Sequence, residues 1–237
     1  MANRGRQCTR NKQKARRGRP LTKLVSLQLA SQAAILATIF ATASRADDTS
    51  SGTVSKQELQ GKIAYCVTCH GPSGQGFRAF NPIPRLAGQP VQYLKNQLQA
   101  FSEHGRSSNI MYNVSHVLSP AMLTALTTSF NELNPKPLGG APKELVPAGQ
   151  KIYEEGVPGS NVPPCASCHG PQAKGNEAFP RLAGQLHDYI YNKLTNWSQE
   201  RGQNPKAPDA SAIMEPIAHS LTESQIKAVA AYVSYLE

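Results

Sequence analysis

Cys66-Val67-Thr68-Cys69-His70-Gly71-Pro72 recurs as Cys165-Ala166-Ser167-Cys168-His169-Gly170-Pro171. Cys-x-x-Cys-His is the pattern by which a porphyrin is attached covalently to a chain. Two thiols add to the two vinyl groups, the two-residue spacer lets them reach both, and the next residue sets an imidazole under the iron. Two rival readings use the same thiols. A redox dithiol needs a βαβ context and no following histidine, and paired zinc-binding Cys-x-x-Cys motifs usually stand about 15–20 residues apart. Here 95 residues separate Cys69 from Cys165, and the histidine follows both times. The expectation is two haem c groups, bound through Cys66 and Cys69 and through Cys165 and Cys168, with His70 and His169 as proximal iron ligands.

More than the motif is doubled. Arg85-Leu86-Ala87-Gly88-Gln89 returns as Arg181-Leu182-Ala183-Gly184-Gln185, and Tyr93 returns as Tyr189, both at an offset of 96. Met111-x4-His116-x-Leu118-Ser119 returns as Met214-x4-His219-x-Leu221-Thr222 at an offset of 103. The drift marks loop changes, with three extra residues between Gly76 and Arg85 and seven extra before Met214. Each half therefore reads as one haem domain, residues 47–131 and 148–237. The Pro- and Gly-rich stretch between them, residues 132–147, suits neither helix nor strand and reads as a fairly stiff, extended linker.

Within each half the apolar period is helical. Val91, Leu94, Leu98 and Phe101 follow Pro90, and Leu186, Tyr189, Ile190, Leu194 and Trp197 repeat the pattern. Ser119 is an N-cap with Pro120 at the first helical position. Thr222 heads a capping box with Gln225, ahead of a stripe of Ile226, Val229, Ala230, Val233 and Leu236. No strand pattern of useful length is present, so the fold class is all-α. Halves of this size are small for a self-sufficient core, and a buried porphyrin supplies apolar surface.

The chain has 237 residues and a formal charge of +10. That charge is local. Residues 1–46 carry ten Lys/Arg and no acidic residue, while the remainder balances 15 basic against 15 acidic residues. The body is therefore not a polyanion binder on net charge, and no nucleic-acid partner is expected. The basic head, the apolar run Leu24–Phe40 and Ala41-Thr42-Ala43-Ser44-Arg45-Ala46 make up a secretory signal peptide, residues 1–46. Cleavage is expected after Ala46, with Ala43 as the second site. A retained membrane anchor is the other reading, weakened by Gln28, Ser31, Gln32 and Thr38 within the apolar run. Of five cysteines, only Cys8 lies outside the attachment motifs, and it lies in the segment to be removed.

The second axial ligand of each iron is expected to be methionine, the usual partner of histidine in electron-carrying c-type haem proteins. Met111 and Met214 hold equivalent places, 41 and 45 residues after their histidines. Met122 has no counterpart and reads as core filler. His116 and His219 recur five residues beyond each methionine and could replace it, but read as groups that cap or hydrogen-bond nearby. His104 and His187 have no equivalents and are expected on the surface. A metal-bound histidine commonly gives its other N–H to a carbonyl, and Pro84 and Pro180 are the candidates to present it. Leu86 and Leu182 would pack on the porphyrin. Arg85 and Arg181 are read either as partners of the haem carboxylates or as solvated loop arginines.

Cys-x-x-Cys-His-Gly, Pro-Arg-Leu-Ala-Gly-Gln-x3-Tyr and Met-x6-Leu-Ser/Thr, all doubled across roughly residues 55–237, resemble the two-haem cytochrome c4 group of the cytochrome c553-like family. The resemblance implies two tandem class I cytochrome c domains related by a pseudo-twofold, with haem edges near the domain interface. It implies a periplasmic electron carrier, soluble or membrane-associated. Implied redox partners are a quinol–cytochrome c oxidoreductase or a dehydrogenase as donor and a terminal oxidase as acceptor. Iron held by His and Met leaves no open position for substrate, which agrees with electron transfer rather than catalysis. The alternative is a haem enzyme, a peroxidase or thiosulfate-oxidising cytochrome, with a labile ligand at one iron; the repeated His116 and His219 are what keep it in view.

Overall fold

The computed structural model describes residues 53–201 and 210–237. The signal-peptide reading, with Cys8, Ala43 and Ala46, lies outside the described residues, as does part of the seven-residue insertion before Met214. Residues 48–237 form one compact unit. It is helical, and extended pairing among the described residues is confined to isolated bridges such as Phe77–Ile83 and Asn176–Phe179.

In the first half, α1 (Lys56–His70) starts at a full capping box: Ser55 accepts from the Glu58 amide, and Glu58 reaches back to the Ser55 amide. It ends at Gly71, φ +82°, where a side chain would meet the Gly76 carbonyl at 2.7 Å. The glycine after the attachment histidine is thus the residue that lets the chain turn back under it. α2 (Val91–Ser102) follows Pro90 and buries Leu94, Gln97 and Phe101. α3 (Asn109–Ser115) is capped by Ser108, and α4 (Pro120–Asn131) by Ser119, as expected from the sequence. α4 packs on α1 and α2 around Leu94, Met122, Leu126 and Phe130. Met122 is therefore a core residue.

The second half repeats this plan with one break. A 3-10 turn (Lys143–Leu145) leads into α5 (Val146–Glu155), so helical structure takes up the last five residues of the expected linker. The counterpart of α1 is split: α5 stops at Gly156, a small Val157–Val162 bridge intervenes, and one turn, α6 (Ala166–His169), carries the motif. Pro158, Pro163 and Pro164 fall in the break, where their missing N–H groups would interrupt a continuous helix. α7 (His187–Thr195) and α8 (Trp197–Glu200) replace the single helix read from Leu186 to Trp197, because the chain bends at Asn196. A 3-10 turn (Ala210–Ile213) precedes α9 (Met214–Ser220). α10 (Glu223–Tyr235) opens with the expected Thr222–Gln225 capping box. It packs on α5 and α7 and buries Ile226, Val229, Ala230 and Val233.

The two halves are joined by the repeated Arg-Leu-Ala-Gly-Gln segments, each pairing with the other. Gln185 Oε1 accepts from the Arg85 amide (2.8 Å) and its Nε2 donates to the Arg85 carbonyl (3.0 Å). Gln89 does the same to Arg181, at 3.0 and 2.8 Å. Both glutamines are buried. Close approach depends on two glycines: a side chain at Gly88 would meet the Arg181 guanidinium at 3.0 Å, and one at Gly184 would meet that of Arg85 at 3.2 Å. The linker joins in. Arg85 donates to Pro135 O and Asn134 Oδ1, and Tyr235 donates its hydroxyl to Ala141 O. The segment is thus stitched to the body along its length.

Gly61 lies exposed in the middle of α1, and a Cβ there would touch nothing within 4 Å. Gly61→Ala removes backbone freedom from the unfolded chain without a steric cost. It should stabilise the fold by about 0.5–1 kcal/mol, read by thermal unfolding as a rise in Tm of about 1–4 °C.

Candidate haem sites

His70 and His169 close α1 and α6, and both are buried. Their Nδ1 atoms lie 2.9 Å from the carbonyls of Pro84 and Pro180, as expected from the sequence. With Nδ1–H donating, Nε2 keeps its lone pair for a metal. Burial lowers the pKa of both imidazoles against the opposing effect of the carbonyl bond, which favours the neutral form, the one that can ligate a metal. The first cysteine of each motif is half-buried and packs against its core, and the second is exposed. Burial pushes the Cys66 thiol up and the Cys165 thiol to about 11.

In the second half these groups open on a cleft of about 1380 Å³, solvent space included. Cys165, Cys168 and His169 line it together with Met214 at the start of α9. Leu182, Val229 and Val233 supply an apolar floor. The first half contributes Gln89, Tyr93, Asn96 and Gln97 to the same cleft. Met111 sits in the matching place in the first half, in the opening turn of α3, half-buried, with its amide capped by Ser108 Oγ at 3.2 Å.

The other histidines stand apart from this chemistry. His116 is exposed, bonds back to Tyr112 O through Nδ1 at 2.8 Å and stacks on the Tyr112 ring, which stacks on exposed His104. His219 is exposed and pairs with Ser198 Oγ at 2.7 Å. His187 corrects its surface assignment: its side chain is 18 % exposed, Nδ1 meets Asp188 at 3.0 Å, and Nε2 is enclosed.

Arg85 departs from both sequence readings, and Arg181 from the solvated one. They are not solvated, and the Arg85 donors are taken by protein acceptors: Nε by Ala87 O, Nη1 by Pro135 O and Nη2 by Asn134 Oδ1. Burial first, and then the like charge of Arg181, lower the Arg85 pKa to about 10. Arg85 is structural, at the junction of the halves, whereas Arg181 also lines the cleft with its Nη2 buried and without a partner among the described residues, which suits a haem carboxylate.

Arg181 and Arg201 line the cleft, and Arg201 was not singled out in the sequence. Arg106 and Arg201 are both buried, and both donate to Gln97 Oε1, at 2.9 and 2.6 Å. Arg106 also donates to the Tyr189 hydroxyl at 2.7 Å, while Arg201 bonds Tyr93, so each arginine uses the tyrosine of the other half. The nearby Glu200 is paired with Lys193. Arg201 lines the cleft, and its Nε is buried without a partner among the described residues. Two buried cations sharing one amide oxygen leave positive charge uncompensated. The carboxylates of a haem would neutralise it, so the residues present fit the group. The sequence did hold a signal: Phe101 to Trp197 and Arg106 to Arg201 keep offsets of 96 and 95. The length change before Met214 obscured it.

The comparisons with known proteins agree. The cytochrome c family model matches residues 59–136 and again 146–237. Cytochrome c4 of Azotobacter vinelandii is 34% identical over 188 residues, covering 75% of this chain and 87% of that protein. The chain belongs to the two-domain cytochrome c4 group of the cytochrome c family. A second relative, the thiosulfate dehydrogenase electron acceptor of Thiomonas intermedia, is 35% identical over 73% of this chain and 79% of its own length. The solved cytochrome c4 of Acidithiobacillus ferrooxidans superposes with a TM-score of 0.63 at 35% identity, covering 73% of this chain and 99% of that one. Membership gives this cytochrome two haem c groups, electron transfer as its activity and redox proteins as its partners. Among the described residues no helix is long and apolar enough to cross a membrane.

Proposed function

We propose that this cytochrome carries single electrons in the periplasm, from a quinol-oxidising complex or a dehydrogenase to a terminal oxidase or another acceptor. In this reading Cys66 and Cys69 hold one haem, with His70 and Met111 on its iron. Cys165 and Cys168 hold the other, with His169 and Met214. The domains are residues 47–131 and 148–237, joined by residues 132–147, and the exported protein is freed from residues 1–46. The observation that carries the reading is the cleft where His169 and Met214 meet the attachment cysteines, with Nδ1 of His169 fixed on Pro180 O. Bound haem supplies a reversible one-electron couple. The chain's own residues orient the imidazole, enclose the site in apolar side chains, and line the cleft with Arg181 and Arg201, which would meet the haem carboxylates.

The haem-enzyme alternative has less support, since His116 and His219 are exposed and engaged elsewhere. The relative named as a thiosulfate dehydrogenase electron acceptor favours a specific donor within the carrier reading. The test is rapid-mixing reduction of the oxidised protein by a quinol–cytochrome c oxidoreductase and, separately, by a thiosulfate dehydrogenase, followed by oxidation with a terminal oxidase. Fast reduction by one donor and fast reoxidation are expected. Turnover of thiosulfate or peroxide by the protein alone would reverse the assignment.

A further inference from the structure

The peptide group that fixes each proximal histidine is itself held from the other half of the molecule. The carbonyl of Pro84 and the N–H of Arg85 belong to one peptide unit. That carbonyl lies 2.9 Å from His70 Nδ1, and that N–H donates at 2.8 Å to Oε1 of Gln185, 100 residues away in the second half. The mirror arrangement runs from His169 Nδ1 through Pro180 O and Arg181 N–H to Gln89 Oε1, at 2.9 and 3.0 Å. The second bond of each glutamine, from Nε2 to the arginine carbonyl, fixes which end of the amide faces the N–H. Gln89 and Gln185 are 3% and 4% exposed, so water does not compete for these bonds.

We propose that Gln185 tunes the haem of the first half and Gln89 the haem of the second, each acting across the interface on the other domain's proximal histidine. An acceptor on a peptide N–H polarises the unit and makes its carbonyl a better acceptor, since hydrogen bonds in a chain strengthen one another. A stronger bond from His Nδ1–H gives the imidazole more imidazolate character and raises its basicity as a ligand. A more basic ligand favours ferric over ferrous iron and lowers the potential. Gln89 and Gln185 are positioning residues: they reach no iron and act through the Pro–Arg peptide. Hydrogen-bond chains of matched geometry thus couple each haem to the opposite half. The inference rests on His70 and His169 being the proximal ligands.

The test is Gln185→Leu and Gln89→Leu in the two-haem protein, with both potentials measured by spectroelectrochemistry and assigned by Met111→His, which displaces the first haem's potential alone. Gln185→Leu should raise the potential of the haem held by His70 more than that of the other haem, whose cleft Gln185 also lines; Gln89→Leu should raise that of the haem held by His169 and leave the first in place. In the reduced protein the Nδ1–H proton resonance of His70 should move upfield in Gln185→Leu and that of His169 should not. A larger shift at the haem of the substituted half, an equal shift at both, or none would overturn the proposal. Where the leucine variant fails to fold, Gln185→Met keeps the reach of the side chain without its hydrogen-bonding amide. It should raise the first potential more than the second, and a downward or absent shift overturns the proposal. The unsubstituted protein checks the ligand reading separately: fewer than two covalent haems per chain, or a haem without its His–Met signature, fails that reading and not the crossed bond.

Discussion

Met214→His should lower the potential of the second haem by a substantial part of the ~0.8 V range that axial ligands span, while the first haem keeps its own. The reason is the ligand's electronic character: a thioether stabilises ferrous iron, and an imidazole favours ferric iron. Met214 is the methionine that lines the cleft with His169, so the substitution changes the iron's surroundings without touching the core. Met122→Leu serves as the control. Met122 is buried among Leu94, Leu126 and Phe130, and its replacement should cost less than about 1.5 kcal/mol as a volume-conserving change, with both potentials held. A Met–iron signal lost in Met122→Leu but kept in Met111→Leu would move the first ligand from α3 to α4.

Gly149→Val should cost several kcal/mol and uncouple the second half. Gly149 is buried in α5 against α10, where an added Cβ would stand 2.0 Å from the Ala228 carbonyl oxygen and 2.8 Å from the Tyr232 side chain. The obstacle is helix backbone, which cannot swing aside as a side-chain tip can. Overpacking of a core costs about 1–3 kcal/mol where neighbours can relax, and here they cannot. Chemical denaturation should show a lower midpoint, and haem attached in the second half should lose its methionine signal before that of the first. An unchanged midpoint would mean that α5 and α10 do not meet as described. Gly61 in α1 makes the contrast, since the same residue type there has open space around it.

Much of this was legible in the sequence because it is local. The attachment motifs, the glycine behind each histidine, the Ser119 and Thr222 caps and the Pro84 and Pro180 carbonyls depend on residues close in the chain or on one repeat compared with the other. Doubling alone separated Met111 and Met214 from Met122. What the sequence hid was contact between the halves. Arg85, Gln89 and Tyr93 stood out as repeated, yet repetition does not say what a residue touches, and their partners in the other half lie 92 to 108 positions away in the chain. Arginine in a loop is ordinarily solvated, so the burial of Arg85, Arg106, Arg181 and Arg201 ran against residue-level expectation. The split of α1's counterpart was written in Pro158, Pro163 and Pro164 but was masked by the identical motif that follows.

The reciprocal pairing of Arg85 with Gln185 and Arg181 with Gln89 has the grammar of an isologous contact, in which one patch binds its own copy and every bond appears twice. The molecule is in that sense a homodimer whose protomers share one polypeptide and have been free to diverge. Self-complementarity ties the divergence down where the patches meet: a change in the motif of one half alters the partner surface of the other. The freedom lies outside the patch, in the three extra residues of the Gly76–Arg85 loop, the broken helix ahead of Cys165 and the longer approach to Met214. The loop and the broken helix give the two ends of an otherwise twofold object different faces, so a redox protein docking at one end meets a different surface from a redox protein docking at the other.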